Sequence, residues 1–250
     1  MLIMTANLLA EKPYGKYCKT ERIDFPTRKA RFLELVRTTH PDLLLFQEVD
    51  GAWNEVLTSH LSAMGYETAF GECWSSGLAI SWHGNAFRDS KVLPSNADAG
   101  LLIGSLACTK TGNALHVVNL HAPWGKAIQH AETYRGLLPA QGAMVVAGDF
   151  NTDNPAVNNN EMFLMSQLFA SDDLFTEATQ AIAMTARNVN SNHPEKLDYI
   201  VTRGLKSRAV NAVPSELELL LPHNPGAPFA AQNSLNHYSD HAAVFAELEW

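Results

Sequence analysis

The stretch Ala143-Met144-Val145-Val146-Ala147-Gly148-Asp149-Phe150-Asn151 decides how the rest of the chain is read. Its apolar run, Met144 to Ala147, is short and valine-rich, the pattern of a strand buried on both faces. Gly148 ends the run and allows a close backbone approach. Asp149 and Asn151 follow at the strand's carboxyl end. If the extended geometry continues through Asn151, the two side chains point to the same side. A carboxylate beside a carboxamide can hold and polarise a water next to a phosphate. The same residues also favour an Asx-type turn for purely local reasons, and the stretch alone leaves both readings open.

Working outward, the flanking segments alternate between short apolar runs and amphipathic ones. Leu2 to Ala6 reads as a strand ending at Asn7, and residues 11–26 read as a loop with Pro13, Gly15 and Pro26. Thr27 is the expected N-cap of a helix reaching His40, with Ala30, Leu33, Leu35 and Val36 on its apolar face. Leu43 to Phe46 form a second buried strand running into Gln47-Glu48-Val49-Asp50. Ala52 to Met64 reads as a helix facing inward through Trp53, Val56, Leu57 and Leu61, stopped by Gly65. Short strands follow at 66–70, 77–82, 87–93, 101–109 and 114–121, most of them separated by Gly or Asn. Helices are expected at 126–138 and 162–169, strands at 197–201 and 203–213, a proline-rich loop at 222–237 and a last strand at 242–248. Two mixed sheets packed face to face, with helices outside, would bury such a set. No linker-like boundary divides residues 1–250, so a single domain is expected.

Composition narrows the function classes. The chain is 46% hydrophobic and 18% charged, enough for a sizeable core. Its net charge of −8 counts against a protein that grips long nucleic acid non-specifically. The exception is the segment from Lys12 to Arg31, where Lys12, Lys16, Lys19, Arg22, Arg28, Lys29 and Arg31 outnumber Glu21 and Asp24. This reads either as a solvated face or as a local site for an anion. The cysteines, Cys18, Cys73 and Cys108, are odd in number and widely spaced, which fits neither a disulfide scaffold nor a zinc knuckle. The N-terminal residues lack a secretion signal, and no apolar run approaches the roughly 18 residues of a membrane span, so a cytoplasmic location is expected.

Polar residues recur at the expected strand ends: Asn7, Glu48, His121, Asp149 with Asn151, Asp198, and Asp240 with His241. Each has an ordinary explanation alone. Their repetition does not, because converging strand ends are where α/β proteins build sites. The carriers are Thr5-Ala6-Asn7, Gln47-Glu48-Val49, Val118-Asn119-Leu120-His121, Gly148-Asp149-Phe150-Asn151, Leu197-Asp198-Tyr199-Ile200 and Ser239-Asp240-His241. In this order, and spanning almost the whole chain, they resemble the endonuclease/exonuclease/phosphatase superfamily, also called the pancreatic-deoxyribonuclease-like fold.

The resemblance implies a four-layer α/β sandwich, with two packed mixed β-sheets flanked by helices. It also implies metal-assisted phosphoester hydrolysis, most simply a phosphodiesterase in which Asp149 activates a water held by Asn151. Glu48, with Asn7 beside it and Asp240 as an outer-sphere or second-ion ligand, would hold Mg²⁺ or Mn²⁺, as hard oxygen donors suit these ions. No thiolate or His cluster stands at zinc spacing. His241 would contact the phosphoryl group with its tautomer fixed by Asp198, and His121 would donate to the phosphate or the leaving group. A His at 121 places the chain nearer the deoxyribonuclease, sphingomyelinase and phosphatase branches than the abasic-site repair branch. Relatives with this His often support it by a carboxylate; Glu72 lies in the right region but in no recognisable motif.

Trp124 follows His121 closely and could offer a flat surface to a base or lipid chain, as could Trp74, Tyr14 and Phe229. A basic first loop, an acidic remainder and an aromatic rim fit a compact anionic substrate: a nucleotide, short nucleic acid, inositol phosphate or phospholipid head group. The alternatives are a phosphomonoester phosphatase, a DNase-like nuclease, and an inactive binding protein on the same fold. No protein partner can be read from the sequence.

Overall fold

Parallel strands need a crossover connection, so a chain that begins strand–helix–strand pairs its first two strands in parallel. The computed structural model shows this twice. It describes residues 1–10, 24–73, 76–123, 130–151, 175–182, 185–187, 194–213, 239 and 241–250. The elements are β1 (Leu2–Asn7), α1 (Phe25–Thr39), β2 (Leu43–Gln47), α2 (Gly51–Val56, prolonged by a π turn, Leu57–Leu61), β3 (Tyr66–Cys73), β4 (Ser76–His83) and β5 (Phe87–Val92). They continue with β6 (Leu101–Cys108), β7 (Ala114–His121), α3 (Ala131–Leu137), β8 (Ala143–Asp149), β9 (Phe175–Glu177), β10 (Ala186–Arg187), β11 (Pro194–Glu195), β12 (Asp198–Arg203), β13 (Lys206–Val213) and β14 (Ala243–Glu249).

Two six-stranded sheets result, in the orders β13-β14-β1-β2-β4-β3 and β5-β6-β7-β8-β12-β9, with β10 and β11 as a separate pair. Each large sheet has a parallel pair at its centre, β1 with β2 and β7 with β8. The neighbours β14 and β12 run antiparallel to these pairs. The carboxyl ends of the parallel strands and the amino ends of β12 and β14 therefore lie at one end of the sandwich.

Alternation sorts the side chains into layers. Ile3, Leu43, Leu45, Val117, Val145, Ala147 and Ile200 belong to one core between the sheets. The intervening residues Met4, Ala6, Leu44 and Phe46 pack under α1 and α2 with Phe32, Val36, Trp53, Val56, Leu57 and Leu61. Across the other sheet, Val118, Leu120, Met144, Val146 and Val201 pack with Tyr134 of α3. The central strands are thus buried on both faces, which is why they read as unbroken apolar runs. The result is a two-sheet sandwich with helices on its outer faces.

Several expected boundaries shift. Helix α1 is capped by Asp24, whose Oδ1 accepts the Thr27 N–H at 2.9 Å, and not by Thr27. Pro26 lies inside the first turn, where a missing N–H costs nothing. Such a cap contributes about 1 kcal/mol. The stripe facing the sheet is Arg28, Phe32 and Val36; Ala30 is exposed and Leu33 and Leu35 are half-buried. Four-residue spacing of large side chains outweighs the looser apolar pattern. Strand β12 runs on to Arg203, and Gly204, at φ 69°, turns the chain into β13. The expected helix at 162–169, the loop at 222–237, Lys12 to Arg22 and the aromatic residues Tyr14, Trp74, Trp124 and Phe229 lie outside the described residues, as do Asp240 and Cys18.

Candidate active site

Strand parity brings the polar residues together. Inward positions on β1 are 3, 5 and 7; on β7, 115, 117, 119 and 121; on β8, 145, 147 and 149; on β12, 200 and 198. Asn7, His121 and Asp149 are therefore the last inward residues of their strands and Asp198 the first of β12, and all four are buried. The sheets stay packed at this end, so residues distant in sequence touch: Asn7 Nδ2 donates to Asp149 Oδ2 at 3.0 Å.

Two members reach the cluster by leaving the strand pattern. Extended backbone would send Glu48 to the outer face, since Gln47 points inward. Glu48 instead has φ 55°, uncommon for a residue with a Cβ. Its half-buried carboxylate accepts the Asn7 amide at 3.0 Å and the Ala10 N–H at 3.1 Å. Asn151 has φ 47°, so the extended geometry expected beyond Asp149 does not continue. Its N–H turns back to Asp149 Oδ1 at 2.9 Å, and its side-chain amide donates to the Ala122 carbonyl at 2.8 Å. This is the local Asx turn. The turn and a polar site coexist here, because the turn aims the carboxylate. Gly148 permits the arrangement: a Cβ there would stand 1.9 Å from the Leu120 carbonyl oxygen of β7.

The imidazoles complete the cluster. Nδ1 of His241 lies 2.9 Å from Asp198 Oδ2, although 43 residues separate them. With the carboxylate accepting, Nδ1 carries the proton and Nε2 faces Asp149 Oδ2 at 3.8 Å. His121 Nε2 stands 3.7 Å from the same oxygen. Glu72 is exposed. Burial pushes the Asp149 carboxyl above the usual carboxylate range; Asp198 adds to this, while His241, His121 and the Asn7 hydrogen bond oppose it. The upward push prevails, because the group is enclosed and two hydrogen bonds do not replace its water.

Beneath this cluster lies a polar layer whose role no local pattern reveals. Gln47 Nε2 donates across the sheets to Asn119 Oδ1 at 2.7 Å and to Thr5 Oγ1 at 3.1 Å. Asn119 Nδ2 donates to the Phe46 and Ala79 carbonyls at 2.8 and 2.9 Å. Gln47 precedes Glu48, and Asn119 stands two residues before His121, so the bridge fixes the two sheets just below the site. Sequence offers only a weak signal for it: polar residues at inward positions of apolar strands. Asn119→Leu should lower unfolding stability by about 3 kcal/mol, because it strands buried partners. Urea unfolding measures this; a loss below about 1 kcal/mol would mean that the bridge is readily replaced.

Arg28 also departs from its expected place in a basic surface. It is buried, donates to the Leu8 and Leu9 carbonyls and lies 5.5 Å from the Trp53 ring centroid. It thereby braces the turn after β1, where Leu9 has φ 55° and its N–H donates to Asn7 Oδ1 at 2.9 Å.

Oxygen and imidazole donors at the strand ends of a two-sheet sandwich define a class of phosphoester-processing proteins. The chain belongs to the endonuclease/exonuclease/phosphatase family, whose sequence profile matches residues 4–241. Its members are phosphoester hydrolases that generally use divalent metals. No curated protein sequence matches the chain. Among solved structures it is similar to the human Nocturnin catalytic domain with bound sulfate, at 22% identity and a TM-score of 0.66, covering 100% of this chain and 93% of that one. It is also similar to D. rerio TDP2 complexed with single-strand DNA product, at 13% identity and a TM-score of 0.69, covering 100% and 99%. ANGEL2, a 2',3'-cyclic phosphatase, in complex with adenosine-2',3'-vanadate gives 16% identity and a TM-score of 0.71, covering 99% and 94%. No helix among the described residues is long and apolar enough to cross a membrane.

Proposed function

We propose that residues 1–250 act as one unit, a divalent-metal-dependent phosphodiesterase for a compact anionic substrate such as a nucleotide, a short nucleic acid or a phospholipid head group. The observation that carries this reading is the buried Asp149 carboxylate, held by Asn7 and Asn151 and faced by two imidazoles. A structural carboxylate would be neutralised by a fixed cation. This one is kept basic and has proton carriers on two sides.

The donor set fits a hard cation. Among the described residues, each Glu48 oxygen accepts one hydrogen bond and keeps a lone pair. Asn7 gives its nitrogen to the carboxylates and its oxygen to Leu9 N–H, which orients Glu48. Glu48, Asn7 and Asp240 would hold Mg²⁺ or Mn²⁺. Asp149, Asp198 and His241 have donor atoms within 4.8 Å of one another and form a second candidate group. Asp198 Oδ1 in this group is buried without a hydrogen bond among the described residues. A bound divalent ion supplies charge neutralisation at the phosphate.

The protein groups supply the rest. Asp149 takes a proton from the attacking water, which Asn151 helps to place. His241, with Nδ1–H directed to Asp198, presents Nε2 to the phosphoryl oxygens and is stabilised as an imidazolium when negative charge develops. His121 donates to the leaving oxygen. The relatives support nucleotide-like substrates: one neighbour binds single-strand DNA product, and another acts on 2',3'-cyclic phosphates, which are themselves diesters.

Hydrolysis of bis-p-nitrophenyl phosphate with Mg²⁺ or Mn²⁺, compared with the monoester p-nitrophenyl phosphate, tests the proposal. Preference for the monoester would make the protein a phosphatase; no turnover of either, or of nucleotides, would favour a binding protein. Within the site, Asp198 and His241 should act as one unit. Asp198→Ala and His241→Ala together should be little worse than His241→Ala alone, whose kcat falls by about 100-fold. Simple addition of the two losses would show that the pair does not function through its hydrogen bond.

A further inference from the structure

Strand β9 pairs with β12 only from Val201 onward, so among the described residues the first residues of β12 have no strand on that side. Two buried threonines stand in for it. Thr179 Oγ1 faces the Ile200 N–H at 3.4 Å. Thr185 Oγ1 accepts two successive N–H groups, from Leu197 at 3.0 Å and from Asp198 at 2.9 Å. The second of these belongs to the carboxylate residue that holds His241.

The backbone of Thr185 faces the other member of the pair. Its carbonyl accepts the Ala242 N–H at 2.7 Å, and the adjoining Ala186 forms an isolated antiparallel bridge with His241. Thr185 itself has no exposed surface. One residue therefore fixes Asp198 through its side chain and the His241 segment through its main chain. The two stretches otherwise belong to different sheets, β12 to one and β14 to the other.

We propose that Thr185 is the positioning residue that sets the Asp198–His241 contact. The inference rests on the hydrolase reading of the site given above. The requirement is an oxygen acceptor at this point. Valine has the shape of threonine without that acceptor and would leave two adjacent buried N–H groups unsatisfied. The beginning of β12 would shift to find water or another acceptor, moving the Asp198 carboxylate away from Nδ1. Serine keeps the oxygen and loses only a methyl group.

The test compares Thr185→Val and Thr185→Ser in the full chain, with bis-p-nitrophenyl phosphate as the probe. Thr185→Val should lower kcat by about ten-fold, the effect expected of a group that orients another. KM should stay within about two-fold, since no substrate contact is removed. Thr185→Ser should restore most of the loss. Independently of turnover, NMR should show the His241 Nδ1 proton in the wild type and in Thr185→Ser, assigned by its loss in His241→Asn. In Thr185→Val it should broaden or disappear. An unchanged kcat and an unchanged Nδ1 proton in Thr185→Val would overturn the proposal, as would a serine variant impaired as much as valine. Should Thr185→Val fail to fold, Thr185→Cys replaces it, with a weaker acceptor of similar size and the same deciding outcomes. If the wild-type chain does not turn over the diester with Mg²⁺ or Mn²⁺, the hydrolase reading fails instead, and the Nδ1 signal still decides the role of Thr185.

Discussion

Asp149→Asn should lower kcat on a diester substrate by about 10³-fold while substrate affinity changes little, because it removes the proposed base. The geometry makes this the most sensitive position. Asp149 Oδ2 accepts Asn7 Nδ2 at 3.0 Å and lies within 3.8 Å of both imidazole Nε2 atoms. An amide in its place cannot take a proton, and its NH₂ must face one of two donors, Asn7 Nδ2 or the Asn151 N–H. A variant that mainly raised KM at unchanged kcat would reassign Asp149 to substrate positioning.

The raised Asp149 carboxyl also gives a pH dependence. As the proposed general base, Asp149 must be ionised, so the acidic limb of the wild-type rate profile should lie above the ordinary aspartate value of about 4. The stability consequence has the opposite sense. Between the unfolded-state and the raised folded-state midpoints, the folded protein binds more protons than the unfolded chain. Metal-free wild type should therefore lose stability, relative to Asp149→Asn, as pH rises upward from about 4 through that window. Denaturant unfolding of both proteins over the range measures it; a difference independent of pH would contradict the upward shift.

Glu48→Gln should lower kcat/KM by about 100-fold, with partial recovery at high Mg²⁺ or Mn²⁺. The substitution keeps the size and removes the charge. It also places an NH₂ where an oxygen accepts either Asn7 Nδ2 or Ala10 N–H. Part of the loss should therefore come from a displaced turn after β1, and higher metal concentration will not restore that part. Excess chelator should abolish wild-type activity. Full activity in chelator would remove the metal from the proposal, and an undiminished Glu48→Gln enzyme would move it to another site.

The family and the donor types at the strand ends were legible before their geometry. Runs such as Leu43 to Phe46 and Met144 to Ala147 read as strands buried on both faces, and polar residues at their ends meet where those ends converge. Strand parity is a property of local backbone, so it already aimed Asn7, His121, Asp149 and Asp198 to one side of their strands. Local signals were weaker at caps and at outliers from extended geometry. Asp24, not Thr27, caps α1, because a proline inside the first turn is as acceptable to a helix as one before it. Asn151 turns back at φ 47°, and Glu48 turns inward at φ 55°.

Those positive φ angles cost energy locally and persist because distant groups hold the side chains: Asn7 and Ala10 for Glu48, Ala122 for Asn151. Contacts that no motif spells out were decided only by tertiary structure. Gln47 and Asn119 are 72 positions apart and bridge the sheets; Thr185 joins the start of β12 to the segment before β14. Sequence pattern reports what a residue does to its neighbours in the chain, over a few positions. A hydrogen bond between sheets depends on how two separately patterned strands are brought together, and only the packed core fixes that.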